Sequence, residues 1–433
     1  MDRMNQLAQE ILKEARNQGA EYAQCSVSES EKKEFNVDGG RFSLMRTLFN
    51  RNVVITVLKD QRKGIVQINR FDADAVNTAV KDAIAAAESG KPDPAWQFAE
   101  GPVEKVFTDG EPVCDTEKLF MRTKELLEDI GKKHPKILME QMITEHDSGR
   151  KVFMTTNGVT YRTHSGAYSF SLMYSAHEGE KATSFYGSDV TLKKLDRPVI
   201  DCAFIERDLA MVENQLDPIA VKGKFVGPAV LAPYALAEIV LGTIMGNFAS
   251  DSCLIDGTSI WKDKLGEEVA DPSFSMSFEP YSEDVVVPER YTGEGYLTEN
   301  FDLIRDGKLV SFALSQYGAN KTGGKRAGNS GANMKVAPGN KTLEEIVGGI
   351  DKGILVMRFS GGQPAPSGEF SGVAKNSFLI ENGKITSALS ETMISGSVPE
   401  MLRQIRGISN DVLKDGSDSV PYIAFDGITI SGT

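Results

Sequence analysis

The stretch "FVGPAVLAPYALAEIVLGTIMGNF", Phe225–Phe248, is almost wholly apolar, yet it carries Pro228, Pro233 and a single charge, Glu238. Its length would span a bilayer. A carboxylate in mid-membrane costs at least about 2.5 kcal/mol when ionised, and the chain on both sides reads as folded soluble protein. The stretch is therefore core. Pro233 suits the first turn of a helix, which is expected to continue from Tyr234 through Gly246. A lone carboxylate in such a helix calls for a cationic or hydrogen-bonding neighbour.

The rest of the chain supports a soluble, multidomain protein. It has 433 residues, of which 25% are charged and 40% hydrophobic, too many for one core of ordinary size. The 48 basic and 61 acidic residues leave a net charge of −13, which argues against direct nucleic-acid binding. Cys25, Cys114, Cys202 and Cys253 are scattered and form no CxxC pair, as in a reduced, cytoplasmic protein. The opening "MDRMNQLAQEILKEARNQG" mixes charges of both signs and reads as an amphipathic helix, not a signal peptide.

Three units are expected. Residues 1–90 read as an N-terminal α/β domain: a first helix, strands around Asp38-Gly39-Gly40, a hairpin near Lys59-Asp60, and a helix opened by Asp72 or Asp74 and closed by Gly90. Residues 91–221 read as a connector, a helix from Asp115, an antiparallel meander turning at Asn157-Gly158 and near Ser165-Gly166, and a helical linker "RDLAMVENQLD". Residues 222–433 read as mainly antiparallel sheet interrupted by helices in "LEEIVGGIDKG" and "VPEMLRQIRGISND". The fold class is α+β.

Motifs with a defined chemistry are scarce. "GANKTGGKRAG" has the wrong spacing for a phosphate loop, and "GNSGA" around Ser330 is not a nucleophile elbow. Four histidines occur: His134, His146, His164 and His177. His146, between Glu145 and Asp147, reads as part of a polar turn. His164 and His177 sit on or beside strands of one meander and could approach each other, but two histidines without a third ligand make a poor metal site. The segment Gly318–Gly331 holds Lys321, Lys325 and Arg326 among five glycines and reads as a surface loop, or as a flap that could contact an extended ligand.

The order of features after residue 222 is more telling. "DGTSIWKDKLGEEVADPSFSM" is followed by "YTGEGYLTENFDLIRDGKLVSFAL", the glycine-rich segment and "VAPGNKTLEEIVGGIDKGILV". Then come "SGGQPAPSGEFSGVAKNSFLIENGKITSALSETMISGSVPEML" and "GISNDVLKDGSDSVPYIAFDGITISGT". This series resembles the TldD/PmbA family, described as modulators of DNA gyrase, and the likeness extends to the first 90 residues. It implies an N-terminal helix and antiparallel-sheet domain and a mainly-β C-terminal domain of the TldD/PmbA type. In TldD-like chains two histidines of a HExxxH helix and a late cysteine bind zinc, and the glutamate is the general base. Those positions fall here on Pro233, Tyr234, Glu238 and Val412. The resemblance is therefore to the PmbA/TldE branch, which lacks the motif.

The resemblance implies a non-catalytic subunit with no cofactor of its own. Zinc is expected only in a TldD-like, HExxxH-bearing partner, although a homodimer could form in isolation. The complex would bind and process unfolded peptide, with neither membrane nor nucleic acid as a partner. An extended peptide could be held by strand addition along a path including Lys321, Lys325, Arg326, Gly361, Gly362 and Gln363. Glu294 and Gly295 of "TGEG" read as a turn. Two alternatives are a metallopeptidase whose ligands come from Glu145, His146, Asp147, His164 and His177, and a non-proteolytic protein acting on gyrase.

Overall fold

The computed structural model describes residues 1–432. Its first sheet has eight strands: β1 (Tyr22–Asp38), β2 (Arg41–Lys59), β3 (Arg62–Ile68), β4 (Val103–Gly110), β5 (Ile137–Thr155), β6 (Val159–Glu178), β7 (Lys181–Ala182) and β8 (Tyr186–Leu192). The main order is β3-β2-β1-β5-β6-β4, with β7 and β8 also on β6. All pairs are antiparallel except β4 with β6. Residues on either side of position 90 thus share one sheet.

The strands are longer than local signals suggest. β1 and β2 form one hairpin of 17 and 19 residues, closed by Gly39 and Gly40 in the left-handed conformation. The expected turn at Ser165-Gly166 does not exist: β6 runs through it for 20 residues. Gly166 serves close approach instead, since a Cβ there would lie 2.0 Å from the Glu111 carbonyl oxygen. β4 has no expected counterpart in the sequence reading; Glu104, Val106 and Thr108 on one face are exposed, while Val103, Phe107 and Asp109 on the other are partly or fully buried.

Three helices cover this sheet: α1 (Asp2–Asn17), α2 (Ala73–Ser89) and α3 (Thr116–Lys133). Asp72 and Asp115 cap α2 and α3 by accepting the Ala75 and Lys118 amides. Leu7, Ala8, Ile11, Val80 and Ile84 pack on Val27, Ile55 and Val152. The linker helix α4 (Ile205–Glu213) and α3 share a second core with β6 and the C-terminal sheet, joining Leu119, Leu209 and Phe170 to Leu355 and Tyr422.

The second sheet has thirteen strands. They are β9 (Lys224–Leu231), β10 (Met276–Phe278), β11 (Phe301–Arg305), β12 (Lys308–Leu309), β13 (Met334–Val336), β14 (Lys352–Val356), β15 (Arg358–Gly361), β16 (Glu369–Lys375), β17 (Ser377–Glu381), β18 (Lys384–Leu389), β19 (Thr392–Ser397), β20 (Ile405–Lys414) and β21 (Ser419–Ser431). Most pairs are antiparallel, but β9–β14 and β13–β21 are parallel. The helices are α5 from Pro233, α6 (Asp251–Ile255), α7 (Gln316–Thr322), α8 (Leu343–Gly348) and α9 (Val398–Arg403). "IRGISND", expected to continue the last helix, belongs to β20.

The opening stretch splits. Its first third is β9, flanked by β21 and β14. After Ala232 the chain turns into α5, α-helical over Pro233–Leu236 and continuing with π-type bonding over Ala237–Leu241 and Ile244–Ala249. Leu236, Ile239, Val240, Ile244 and Phe248 bury one face against Trp261, Phe274, Ile423 and Phe425.

Candidate functional site

β9 delivers its last residue, Leu231, opposite Ile423 of β21, and Pro421 of β21 lies opposite Val412 of β20. Since β21 lies between β9 and β20, Pro233 and Val412 come to one end of the sheet, two strand spacings or about 10 Å apart. The fold thus brings together positions 179 residues apart in the chain. Ala232 donates its N–H to Val356 O at 2.9 Å and its carbonyl accepts from Leu236, which starts the helix. Pro233 is buried at the first helical position.

Tyr234 and Glu238 go opposite ways. The Tyr234 hydroxyl accepts the Asp189 N–H at 3.3 Å, and its ring meets Tyr186 edge-on at 6.2 Å. Burial, reinforced by Asp208, raises its pKa. Glu238 is solvent-exposed, and no ion pair or side-chain hydrogen bond engages it among the described residues. The expected partner is absent because the carboxylate points to water and needs none. Gly242 and Gly246 follow on the same exposed stripe. Val412 is half-buried.

Behind Tyr234 lies a polar cluster that the sequence reading missed. Asp208 of α4 is 3% exposed, and its carboxylate accepts from Ser188 Oγ at 3.0 Å; the Tyr174 hydroxyl is 2.8 Å from the same Ser188 oxygen. Tyr186 is buried beside them, and its hydroxyl closes no hydrogen bond. Burial pushes Asp208 up to about 7, against the opposing pull of Ser188 and Arg207. Arg207 turns away to Asp411, at 2.9 Å, and lies over the Phe204 ring. Burial raises the Asp411 pKa, but the Leu343 N–H and the Arg207 guanidinium outweigh it and leave it below its ordinary value. One signal was available: Asp208 sits three residues after Ile205 and beside Leu209, on the apolar face of the linker helix.

The other candidates divide. Gly361 is the last residue of β15 and Gly362 and Gln363 follow it, all three exposed; β15 pairs only with β16, so its outer edge is open. Asn247, at the end of the apolar helix, donates to the Pro364 and Ala365 carbonyls at 3.2 and 3.0 Å and pins this loop beside it. The segment Gly318–Gly331 is not a free loop. Its first part is α7, and Lys321 is spent on Asp93 at 3.1 Å. Tyr317 stacks on Trp96 at 4.0 Å, and Asn320 donates to the Ala95 carbonyl. Arg326 lies 4.3 Å over the Tyr296 ring. Lys321 thus ties the connector after α2 to the second sheet's α7, Arg326 packs on a loop of the second sheet, and Lys325 is exposed. Glu294 does more than turn the chain, since its carboxylate accepts the Gln316 and Tyr317 amides at the start of α7.

The histidines do not gather. His146 is not in a turn; it lies in the middle of β5, 1% exposed, and its Nε2 donates to the Glu111 carbonyl at 2.7 Å. His164 and His177 lie on the same strand thirteen residues apart, roughly 40 Å along it, and cannot meet. His177 Nε2 is 2.9 Å from Ser175 Oγ, and His134 Nδ1 is 2.9 Å from Glu213. Among the described residues no three His, Cys, Asp or Glu side chains converge as a metal site.

Residues 223–432 match the sequence profile described as the PmbA/TldA metallopeptidase C-terminal domain, and residues 23–87 that of domain 1 of the same proteins. The chain belongs to the TldD/PmbA family. It is 26% identical over 400 residues to the metalloprotease PmbA of Escherichia coli O157:H7, covering 89% of this chain and 84% of that one. It is 22% identical over 439 residues to a metalloprotease of Methanocaldococcus jannaschii, covering 95% and 93%. In structure it superposes on TldE of Thermococcus kodakarensis with a TM-score of 0.83, at 22% identity over 99% of this chain and 100% of that one. A candidate DNA gyrase modulator from Thermotoga maritima gives a TM-score of 0.81, at 20% identity over 99% and 100%.

A TldD/PmbA metallopeptidase centre requires metal donors. At the positions where the family resemblance expects them, Pro233 and Val412 offer none, Tyr234 is committed to Asp189, and Glu238 stands alone on the surface. This donor set does not fit zinc, which takes imidazole, thiolate and clustered carboxylate. No membrane-spanning helix is present among the described residues: none is long and apolar enough.

Proposed function

We propose that this chain is a PmbA/TldE-like, non-catalytic subunit that works in the cytoplasm with a TldD-like, HExxxH-bearing partner and helps present unfolded peptide to that partner's metal centre. The observation that carries this reading is the donor set above: neither end of the expected site supplies nitrogen or sulfur. The open edge of β15 supports a role in holding peptide. β15 lies against α5, and Gly361 at its end and Gly362 after it are exposed. A strand edge binds extended chain through backbone N–H and C=O groups, which suits substrates with no common side chain. Glycine at 361 is required by packing on the paired side: a Cβ would meet the Phe359 ring at 2.5 Å and the Ser371 carbonyl oxygen of β16 at 2.9 Å.

The test is reconstitution. The purified chain is expected to retain no stoichiometric zinc after dialysis and to cleave no unfolded peptide, and addition of the host's HExxxH-bearing homologue should produce activity above that of the homologue alone. Stoichiometric zinc on this chain, lost on substitution of a histidine, would overturn the reading. So would a homologue whose activity is indifferent to this subunit.

A further inference from the structure

One lysine of the first sheet stands in a cleft without a partner. Lys151 is on β5, with Ser28 of β1 and Thr163 of β6 directly opposite it on either side; Ser30, Gly149 and Ser165 make the next row. Residues paired across strands share a face, so these six positions floor one patch. Residues 287–291 pass over it, with Tyr291 packed on Phe153 and Tyr161 of the same face, and close a cleft of about 340 Å³. This strap is pinned. Glu289 donates its N–H to Asn333 at 3.3 Å and accepts from Thr298 Oγ1 at 2.6 Å, and Arg290 is tied to Asp109. A Cβ at Gly149 would meet only Ser165 Oγ, at 3.6 Å, so no side chain fills the space above it.

Among the described residues the Lys151 amine has no ion pair and no hydrogen bond; its nearest company is the Tyr291 ring, 5.1 Å away. Other lysines that fold back on the chain are spent. Lys32, Lys321 and Lys335 lie 2.8, 3.1 and 2.9 Å from carboxylates, and Lys63 lies 3.3 Å over the Trp96 ring. The charges around Lys151 are spent as well. Glu29 pairs with Arg51 and Arg290 with Asp109. Glu289, whose field reaches Lys151, lies beyond ion-pair distance and accepts the Ser330 N–H at 2.9 Å. Crowding in the cleft disfavours the ammonium and lowers its pKa, yet the side chain stays open to solvent. A negative charge delivered from solution would offset that cost.

We propose that this cleft binds a carboxylate, with the Lys151 ammonium as its counter-charge and the hydroxyls of the floor as further donors. One unspent cation matches one negative charge, whereas a phosphate group at neutral pH carries about two. The space over Gly149 takes the group that bears the carboxylate. That chemistry is shared by the C-terminus of a peptide and by a free small acid. None of the residues assigned to the peptide path or to the expected metal centre lines the cleft, so the inference does not rest on the proposed function.

The probe is N-acetyl-tri-alanine with a free carboxylate, and its C-terminal amide is the control. Saturation-transfer NMR on the purified full chain should show binding of the acid and none of the amide. With the acid at about ten times its dissociation constant, acetylation of Lys151 by acetic anhydride, read by peptide mass spectrometry, should slow about tenfold, and that of Lys32 and Lys335 should not change. Lys151→Met should abolish the saturation transfer. Gly149→Val keeps the charge but fills the space above the strand, and should abolish it too, with unchanged circular dichroism. Acetate that protects Lys151 as well at the same concentration would identify a small acid as the ligand, and protection by the tripeptide alone would identify a chain end. No protection by either carboxylate, equal protection by the amide, stronger protection by inorganic phosphate, or variants that bind as the wild type does would each overturn the inference.

Discussion

Asp208→Asn should change how stability depends on pH. The Asp208 carboxyl is buried between α4, β8, β6 and the start of α5, facing Ser188, Tyr174, Tyr186 and Tyr234, with Arg207, Tyr422 and Asp189 further out. Burial pushes it from 3.8 to about 7. Between those values the folded chain holds a proton that the unfolded chain has released. The favourable contribution is complete below the unfolded value and is lost as pH rises through the folded value near 7. A shift of that size corresponds to about 4 kcal/mol across the window, as an order of magnitude. Asn keeps the shape and can accept from Ser188 but does not ionise. Urea unfolding of variant and wild type at matched pH isolates the group from other titrations. The two should agree within about 1 kcal/mol at low pH, and the variant should be the more stable above pH 7 by about 2–4 kcal/mol. A difference between them that does not change with pH would refute the assignment. A wild type that gains on the variant as pH rises would also refute it.

Three further changes probe the joints. Arg290→Met leaves the Asp109 carboxylate, 5% exposed, without the guanidinium whose Nε donates to it at 3.2 Å; it should cost about 3 kcal/mol in urea unfolding, and the added Asp109→Asn should recover much of the loss. Trp96→Ala removes the stack on Tyr317 and the Lys63 amine 3.3 Å from its ring, so limited proteolysis should cut the connector near residues 91–102 faster than in wild type, while α1 and α2 remain protected. Gly416→Ala puts a Cβ 2.1 Å from the Thr191 carbonyl oxygen at φ +93°; it should lower the melting temperature by several degrees, and an unchanged melting temperature would mean that the 415–418 turn is free to move away from β8.

Local chemistry made much of the fold legible. The Asp72 and Asp115 caps, the Gly39-Gly40 turn and the break at Pro233 depend on near neighbours in the chain, and each lies where the sequence put it. His146 and Ser165-Gly166 misled for a common reason: polar or glycine residues in mid-strand resemble a turn unless the covering segment is known. Here it is Glu111–Pro112, more than thirty residues away. Glu238 misled in the opposite way. Apolar neighbours in sequence implied burial, but a helix has two faces, and Glu238, Gly242 and Gly246 repeat every four residues along the one that meets water.

The sequence alone determined the α+β class, the family resemblance, and that none of Pro233, Tyr234, Glu238 and Val412 is a histidine or cysteine, because residue identity and order suffice for these. Tertiary structure decided what those positions touch. Only the placement of β21 between β9 and β20 brings Val412 level with Pro233. Only the packing of α4 against β8 buries Asp208 behind Tyr234, and only the passage of residues 287–291 over the first sheet makes a cleft around Lys151. Each depends on contacts between segments distant in the chain, and local periodicity carries no record of which strand lies beside which.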